Sequence, residues 1–507
     1  MAENVLFISA QPDTPYFVWQ IELQLFNFRS FGIIRNNIHV LFAFDAVAGP
    51  SRDVLKLSEL YAGWARFYFY EDSRSTPKYI SSIRPHIIAK HFYHNPDLSK
   101  RILFYHDSDV LFSRLPTFKP EEINSPVCYV SDTSSYFGTS HIKKAGGDVL
   151  LGKMCEIVGL DKQMLEQEDE NTGGAQYIIK AVDVNFWRKV EADSEALYCL
   201  LRDANLDLWK GRYPSKRERK GEVNDIQPWC ADMWAILWNL WIIGKKVEIH
   251  QELKFTWPYS PIEDWYKSPI QPYAGVTSEE QLSFKKNNYL HFPPWYDGML
   301  KQIPSTNCSY EIVKQIEKVR LALDKRRTYL STVHIIILFD PALGNIGAHD
   351  IEIQISYIQR YLDVRISKYP QREGDKIDDF LERFCLDVSL NKDGTFILIP
   401  ESVVFDHNIF IDLCKKAAAL KQSFVFEIEE THVADMLFKV AFEKTLDFQF
   451  LQQNVNKFTV VPKKIQIFTL LGSEIRRKRS EDLVHLMNRV FTYSKINGFS
   501  IGQSQNI

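Results

Sequence analysis

The sequence predicts an α/β protein, with a largely parallel sheet covered by helices on both faces and a second, smaller α/β domain behind it. Three observations predict it. Strands alternate with helices through the first 300 residues, the same alternation restarts near residue 330, and 507 residues exceed one ordinary domain. Val5–Ala10 reads as the first strand, ending in the turn-rich Gln11-Pro12-Asp13-Thr14-Pro15. Phe17, Ile21, Leu25 and Phe28 then recur every three or four residues, as on a helix face. Ile38–Phe44 and Phe67–Tyr70 are the next strands. Pro85 lies in the first turn of a helix that carries Ile87, Ile88, Lys90, His91 and Phe92. Arg101–His106 is a strand running directly into Asp107-Ser108-Asp109.

Beyond residue 140 the pattern turns helical, with helices expected at Asp148–Val158, Ala175–Val184, Asn185–Leu201 and Trp229–Ile243. Lys210–Gly221 has the composition of a solvated, positively charged loop. A charged helix over Tyr310–Arg327 closes the first domain, residues 1–327. The second, 328–507, begins with the strand Val333–Phe339, an Asp340-Pro341 turn and a helix from His349 to Tyr361. Further strands are expected at Thr395–Ile399, Phe424–Ile428 and Ile465–Thr469.

Composition excludes several classes. A net charge of −3 without a basic patch argues against a dedicated nucleic-acid binder. Aromatic residues make up 13 % of the chain, which suits large cores and clefts that stack sugar rings or bases. The seven cysteines, at 128, 155, 199, 230, 308, 385 and 414, form no CxxC pair, so reduced and mostly buried thiols are expected. Val5-Leu6-Phe7-Ile8 has no basic flank or cleavage signal, and Trp229–Ile243 is too short and too interrupted to span a bilayer. The expectation is a cytoplasmic protein with no transmembrane segment.

Asp107 and Asp109 are the strongest candidates for chemistry. Ligands of open α/β sheets gather at the carboxyl ends of strands, and two carboxylates there can hold a hard cation through oxygen. Such a cation can bridge a diphosphate and neutralise charge on a leaving group. Asp-x-Asp is also an ordinary loop or cap. A phosphatase of the haloacid-dehalogenase type places Asp-x-Asp after an apolar strand too, with one carboxylate as nucleophile. Here Val110 follows one position early for that pattern, and about a hundred residues precede the strand.

Four further segments follow in order: Ser131-Asp132-Thr133-Ser134-Ser135-Tyr136, Asn171-Thr172-Gly173-Gly174-Ala175-Gln176, Trp229-Cys230-Ala231-Asp232-Met233-Trp234 and Asn288-Tyr289-Leu290-His291-Phe292-Pro293. With the Asp-Ser-Asp triplet, this order resembles GT-A-fold glycosyltransferases, especially the hydroxyproline O-arabinosyltransferase and serine galactosyltransferase group, over about residues 1 to 300. The resemblance implies a GT-A-type nucleotide-binding sheet. It also implies transfer of a sugar from a nucleoside-diphosphate donor, UDP above all, to a hydroxyl on a glycan or peptide. It makes Asp107, Asp109 and His291 the ligands of Mn²⁺ or Mg²⁺, imidazole favouring manganese. Ser108, Asn171, Gly173, Gly174 and Gln176 would contact the donor, and Gln11, Asp13, Thr14 and Tyr16 would lie near its base. Lys90, one helix before the triplet, could reach the diphosphate or Asp107; a plain surface lysine is the structural alternative.

Asp232, among Trp229, Trp234, Trp238 and Trp241, should have a raised pKa or a partner. It is the candidate general base of an inverting reaction, or a support for the sugar in a retaining one; a helix cap or buried ion pair is the structural alternative. Asp132 is a further acceptor-side candidate. A glycan- or protein-binding module that has lost its chemistry stays open as a non-enzymatic alternative.

Overall fold

The computed structural model describes residues 5–212, 226–275, 282–338, 355–356, 358–369, 395–400, 414–415, 418, 424–429 and 464–471. The chain divides into two compact units, Met1–Pro293 with Asp297–Val319, and Pro294–Tyr296 with Arg320–Ile507.

In the first unit the order is β1 (Val5–Pro12), α1 (Pro15–Ser30), β2 (Ile38–Phe44), α2 (Arg52–Leu60), β3 (Arg66–Glu71), α3 (Ile83–His94), β4 (Ile102–Tyr105), β5 (Val110–Phe112), α4 (Pro120–Asn124), β6 (Cys128–Asp132), α5 (Ser134–Phe137), α6 (Thr139–Val158), α7 (Lys162–Glu168), β7 (Gly173–Lys180), α8 (Val184–Arg212), α9 (Ala231–Ile242), β8 (Val247–Ile249), α10 (Ile262–Lys267) and β9 (Ile270–Pro272), before α11 (Ser309–Asp324). Seven strands form one sheet in the order β3-β2-β1-β4-β7-β6-β8. The first four are parallel, β7 is antiparallel to β4 and β6, and β8 is parallel to β6.

Helices cover both faces, so the inner strands are buried along their length. Leu6, Ile8, Leu103 and Tyr105 join a core with side chains of α3, α6, α8 and α9. Val5, Phe7, Val40, Phe42 and Phe104 join another with α1 and α2. Each large side chain so buried contributes roughly 1.5–3 kcal/mol. From β1 the chain proceeds to β2 and β3 on one side, then returns to β4 on the other. That reversal opens a crevice beyond the carboxyl ends of β1 and β4, where α/β sheets bind ligands.

One expectation fails here. Ala175–Val184 is not a helix: Gly173–Lys180 is strand β7, between β4 and β6. A strand buried on both faces shows no period of two, so its apolar run reads equally well as buried helix. Gly173 marks the strand instead, because a Cβ there would stand 2.3 Å from the Ser131 carbonyl oxygen. The β6–β7 register shifts between Val130 and Ser131, and Ala175 takes φ +66° opposite that bulge. The expected loop at Lys210–Gly221 starts as helix, since α8 runs to Arg212, and residues 213–221 lie outside the described ones.

The second unit contains β10 (Thr328–Leu338), β11 (Leu362–Tyr369), β12 (Thr395–Pro400), β13 (Phe424–Glu429) and β14 (Lys464–Leu471), in the order β11-β10-β12-β14-β13. β10 is parallel to β11 and β12, and β14 is antiparallel to β12 and β13. Of the predicted helix His349–Tyr361, 355–356 and 358–361 are helical; Asp340-Pro341 lies outside the described residues. Among the described residues, no helix is long and apolar enough to cross a membrane.

Candidate active site

β4 ends at Tyr105, and His106 continues it by donating its N–H to the Ile8 carbonyl of β1 at 3.2 Å. The Asp107–Asp109 turn therefore starts at the reversal point of the sheet. It is held by a polar stripe on α1: Gln20, Gln24 and Asn27, spaced four and three apart and all buried. Gln20 Oε1 accepts from Ser108 Oγ at 3.1 Å. Gln24 Nε2 lies 3.0 Å from the Asp107 carbonyl oxygen and 3.1 Å from that of Val110. Asn27 bonds both the N–H and the C=O of Phe112, at 2.8 and 3.0 Å. Tyr273, just after β9, donates its N–H to the Asp109 carbonyl at 3.1 Å. These bonds satisfy a turn whose backbone would otherwise be buried unpaired.

A cleft of about 180 Å³ opens on this turn, lined by residues that include Tyr16, Gln20, Arg84, Asp107, Ser108, Asp109 and Lys286. Its carboxylates are already paired. Arg84 Nη1 donates to Asp107, its Nη2 donates to Asp232 Oδ2, and Lys286 Nζ donates to Asp109. Three carboxylates against two cations leave one negative charge in excess. Burial, opposed by Arg84 and reinforced by Asp109 and Asp232, pushes the Asp107 carboxyl up to about 6. Burial works against the Lys286 ammonium, but Asp109, Tyr16 and Asp107 outweigh it and raise its pKa. Burial also lowers His106 to about 4, so this ring beside the turn is neutral. The two aspartates differ in access: the Asp107 side chain is 38 % exposed and that of Asp109 only 5 %. Asp109 is thus enclosed, while Asp107 opens to solvent.

Arg84 is fixed from several directions. Glu195 of α8 accepts from the N–H groups of Lys78 and Tyr79, at 2.9 and 3.1 Å, and from Ser82 Oγ, which ties down the approach to α3. Tyr79 Oη donates to Asp232 Oδ1 at 2.7 Å, so both Asp232 oxygens are engaged. Arg84 Nε and the hydroxyls of Tyr105 and Tyr177 are buried without a protein hydrogen-bond partner. Lys286 opens the 3₁₀ turn Lys286–Tyr289, which Trp19 anchors by donating Nε1–H to the Tyr289 carbonyl at 2.9 Å. Phe284 stacks on Tyr289 at 5.5 Å, and Trp19 on Tyr273 at 5.8 Å.

The structure brings Tyr16, Asp107, Ser108 and Asp109 into one cleft and leaves the other sequence candidates outside its lining. Gln11 is buried and donates to the Leu41 carbonyl at 2.8 Å. Asp13 accepts from Ser51 N and Oγ, both at 2.6 Å, beside the start of α2. Thr14 precedes α1 without a side-chain cap bond. Lys90 turns away and donates to the Glu71 carbonyl at 2.5 Å. Asn171 bonds Glu168, and Gln176 accepts from Ser131 Oγ at 2.9 Å. Gly173 and Gly174 pass close to β6 and to Met233 of α9, respectively. Asp132 accepts from the Ser134 N–H at 3.0 Å, at the start of α5. Asp232 is buried in the first turn of α9, in the ion pair that its surroundings required. His291 is exposed; among the described residues no three His, Cys, Asp or Glu side chains are grouped to hold a metal.

Arg84 and Lys286 were not legible as site residues. Arg84 directly precedes Pro85, in what reads as a plain helix start. Lys286 stands two places before Asn288-Tyr289-Leu290-His291, and that adjacency was its one signal.

No protein-family model matches the chain, and no curated protein matches it in sequence. Among solved structures, it is similar to the bifunctional glycosyltransferase WbbM at 10 % identity and a TM-score of 0.28, covering 62 % of this chain. The chain spans about half of WbbM, 52 % of its length. It is also similar to the mannosyltransferase PcManGT from Pyrobaculum calidifontis, solved with GDP-Man and Mn²⁺, at 15 % identity and a TM-score of 0.20, covering 47 % of this chain and 71 % of that one. Mouse xyloside xylosyltransferase 1 gives 8 % identity and a TM-score of 0.22, covering 53 % and 97 %. At these scores the likeness carries no residue roles, and the cleft has to be read on its own chemistry.

Proposed function

We propose that this chain is a GT-A-type glycosyltransferase that moves a sugar from a nucleoside-diphosphate donor, UDP-linked above all, to a hydroxyl of a glycan or peptide. The observation that carries the reading is the Asp107/Asp109 pair with Arg84 and Lys286, packed at the reversal point of a mostly parallel sheet. Carboxylates and cations lining one cleft suit a ligand that brings its own anion and metal, as a nucleoside diphosphate does. The donor set fits a hard divalent cation, Mn²⁺ or Mg²⁺: two carboxylates supply oxygen, and an excess negative charge remains in the cluster. Asp107 and Asp109 would hold that cation. When bound, it supplies charge neutralisation at the leaving diphosphate.

The chain's own groups do the rest. Gln20, Gln24 and Asn27 preset the turn, so the carboxylates need no reordering when the ligand arrives. Arg84 and Lys286 present N–H donors to phosphate oxygens, and Tyr16 offers an aromatic wall beside them. Asp232 orients Arg84, because its two oxygens are spent on Arg84 and Tyr79.

Incubating the full chain with a panel of nucleotide sugars and Mn²⁺, and measuring nucleoside diphosphate release, tests the reading. Metal-dependent turnover of at least one donor is expected. No turnover of any donor, alongside hydrolysis of simple phosphate monoesters, would move the assignment to a phosphatase.

A further inference from the structure

Each cleft carboxylate already has a cation of its own, delivered on a separately anchored element. Arg84 comes from α3 and Lys286 from the 3₁₀ turn after Phe284. A metal ion coordinating Asp107 and Asp109 would compete with both, since each cation occupies one oxygen of its carboxylate. Each displaced cation has somewhere to stay. Arg84 keeps Asp232, whose other oxygen is fixed by Tyr79. Lys286 keeps the face of Tyr16, 5.9 Å from its Nζ. Both heads would remain on the cleft wall, freed for an anion.

We infer that Arg84 and Lys286 are built-in counterions that hold the carboxylate pair until a nucleoside diphosphate takes them over, so that metal and nucleotide bind with positive coupling. This rests on the transferase reading above and adds an order of affinities to it. Without nucleotide, the metal competes with two tethered cations for the same pair of carboxylates. With nucleotide, the phosphates accept the donors of Arg84 and Lys286, and the carboxylates are released to the metal. The coupling is reciprocal, as any binding linkage must be.

The test is Mn²⁺ binding followed by electron paramagnetic resonance, with and without UDP, on the full chain. It compares the wild type with Lys286→Gln and with Lys286→Met, which keeps most of the stem and removes the charge. Wild type should bind Mn²⁺ about tenfold more tightly when UDP is present. The charge-free variants should bind Mn²⁺ more tightly than wild type in the absence of UDP, and UDP should add less. Circular dichroism identifies which variant is folded, and one folded variant suffices. Variants that bind Mn²⁺ no tighter than wild type, with the UDP effect intact, would overturn the inference and leave the metal site standing. No Mn²⁺ binding by wild type in either condition would take down the metal-dependent reading together with it.

Discussion

Helix α3 buries ionisable groups at both ends and treats them in opposite ways. In its first turn Arg84 stays charged, shared between Asp107 and Asp232. In its last turn His91 is buried beside His39 of β2, Nε2 to Nδ1 at 2.9 Å, and Tyr70 Oη lies 2.7 Å from His91 Nδ1. Burial, with neighbouring cationic groups adding to it, lowers both imidazoles to about 3, so this end is a neutral hydrogen-bonded chain. Neutral groups are the inexpensive way to bury polarity, whereas paired charges recover their desolvation only with good geometry. The costly arrangement stands where the cleft opens and the neutral one where two elements merely pack. That contrast is why the first-turn cluster is taken as functional and the last-turn cluster as structural.

Breaking the charged end should have the larger consequences. Asp109→Asn should lower transfer by about a thousandfold, the loss of several kcal/mol of leaving-group stabilisation, in steady-state assays with Mn²⁺. Arg84→Met leaves the Asp232 carboxylate buried without its cation, and should cost about 3 kcal/mol in urea denaturation while raising KM for the donor. The neutral end should respond to pH instead. A histidine whose folded pKa lies below its unfolded value gives stability that is present above pH 6.5 and lost as pH falls toward 3. Between pH 6.5 and 5 this amounts to about 2 kcal/mol for each ring, measured as the fall in unfolding free energy, and His39→Gln should remove part of it with activity unchanged. Asp107 works with the opposite sign. Its raised pKa lets the folded form take up a proton between about pH 6 and 4, which eases the charged end as the histidine end weakens. The smallest effect expected is from Gln24→Met, which strips a donor from the Asp107 and Val110 carbonyls. About 1–2 kcal/mol of stability should go, with a modest rise in donor KM.

The same contrast explains what the sequence made legible. Strands β1, β2 and β4 were readable because each is an apolar run closed by turn residues, and Asp107 and Asp109 because they follow one. β7 was misread, since burial on both faces removes the period that separates strand from helix. The polar stripe Gln20, Gln24 and Asn27 lay within a helix read only for its apolar face, although its spacing was there to see. Arg84 and Lys286 reach the carboxylates across 23 and 177 residues of sequence, and no local pattern encodes such a meeting. Lys90 had the expected charge on the expected helix, but it turns away from the cleft to the Glu71 carbonyl, six positions after the residue that enters it.

The central claim is that the Asp107/Asp109 cleft binds a nucleoside diphosphate together with a divalent cation. Calorimetric titration of UDP and GDP into the full chain, with Mn²⁺ and with chelator, tests it most directly, with Asp109→Asn as the paired control. The account predicts binding of at least one of them that Mn²⁺ strengthens by about tenfold or more, an enhancement lost in Asp109→Asn. Absence of binding to either nucleotide with Mn²⁺ present, or an equal Mn²⁺ enhancement in the variant, would contradict it.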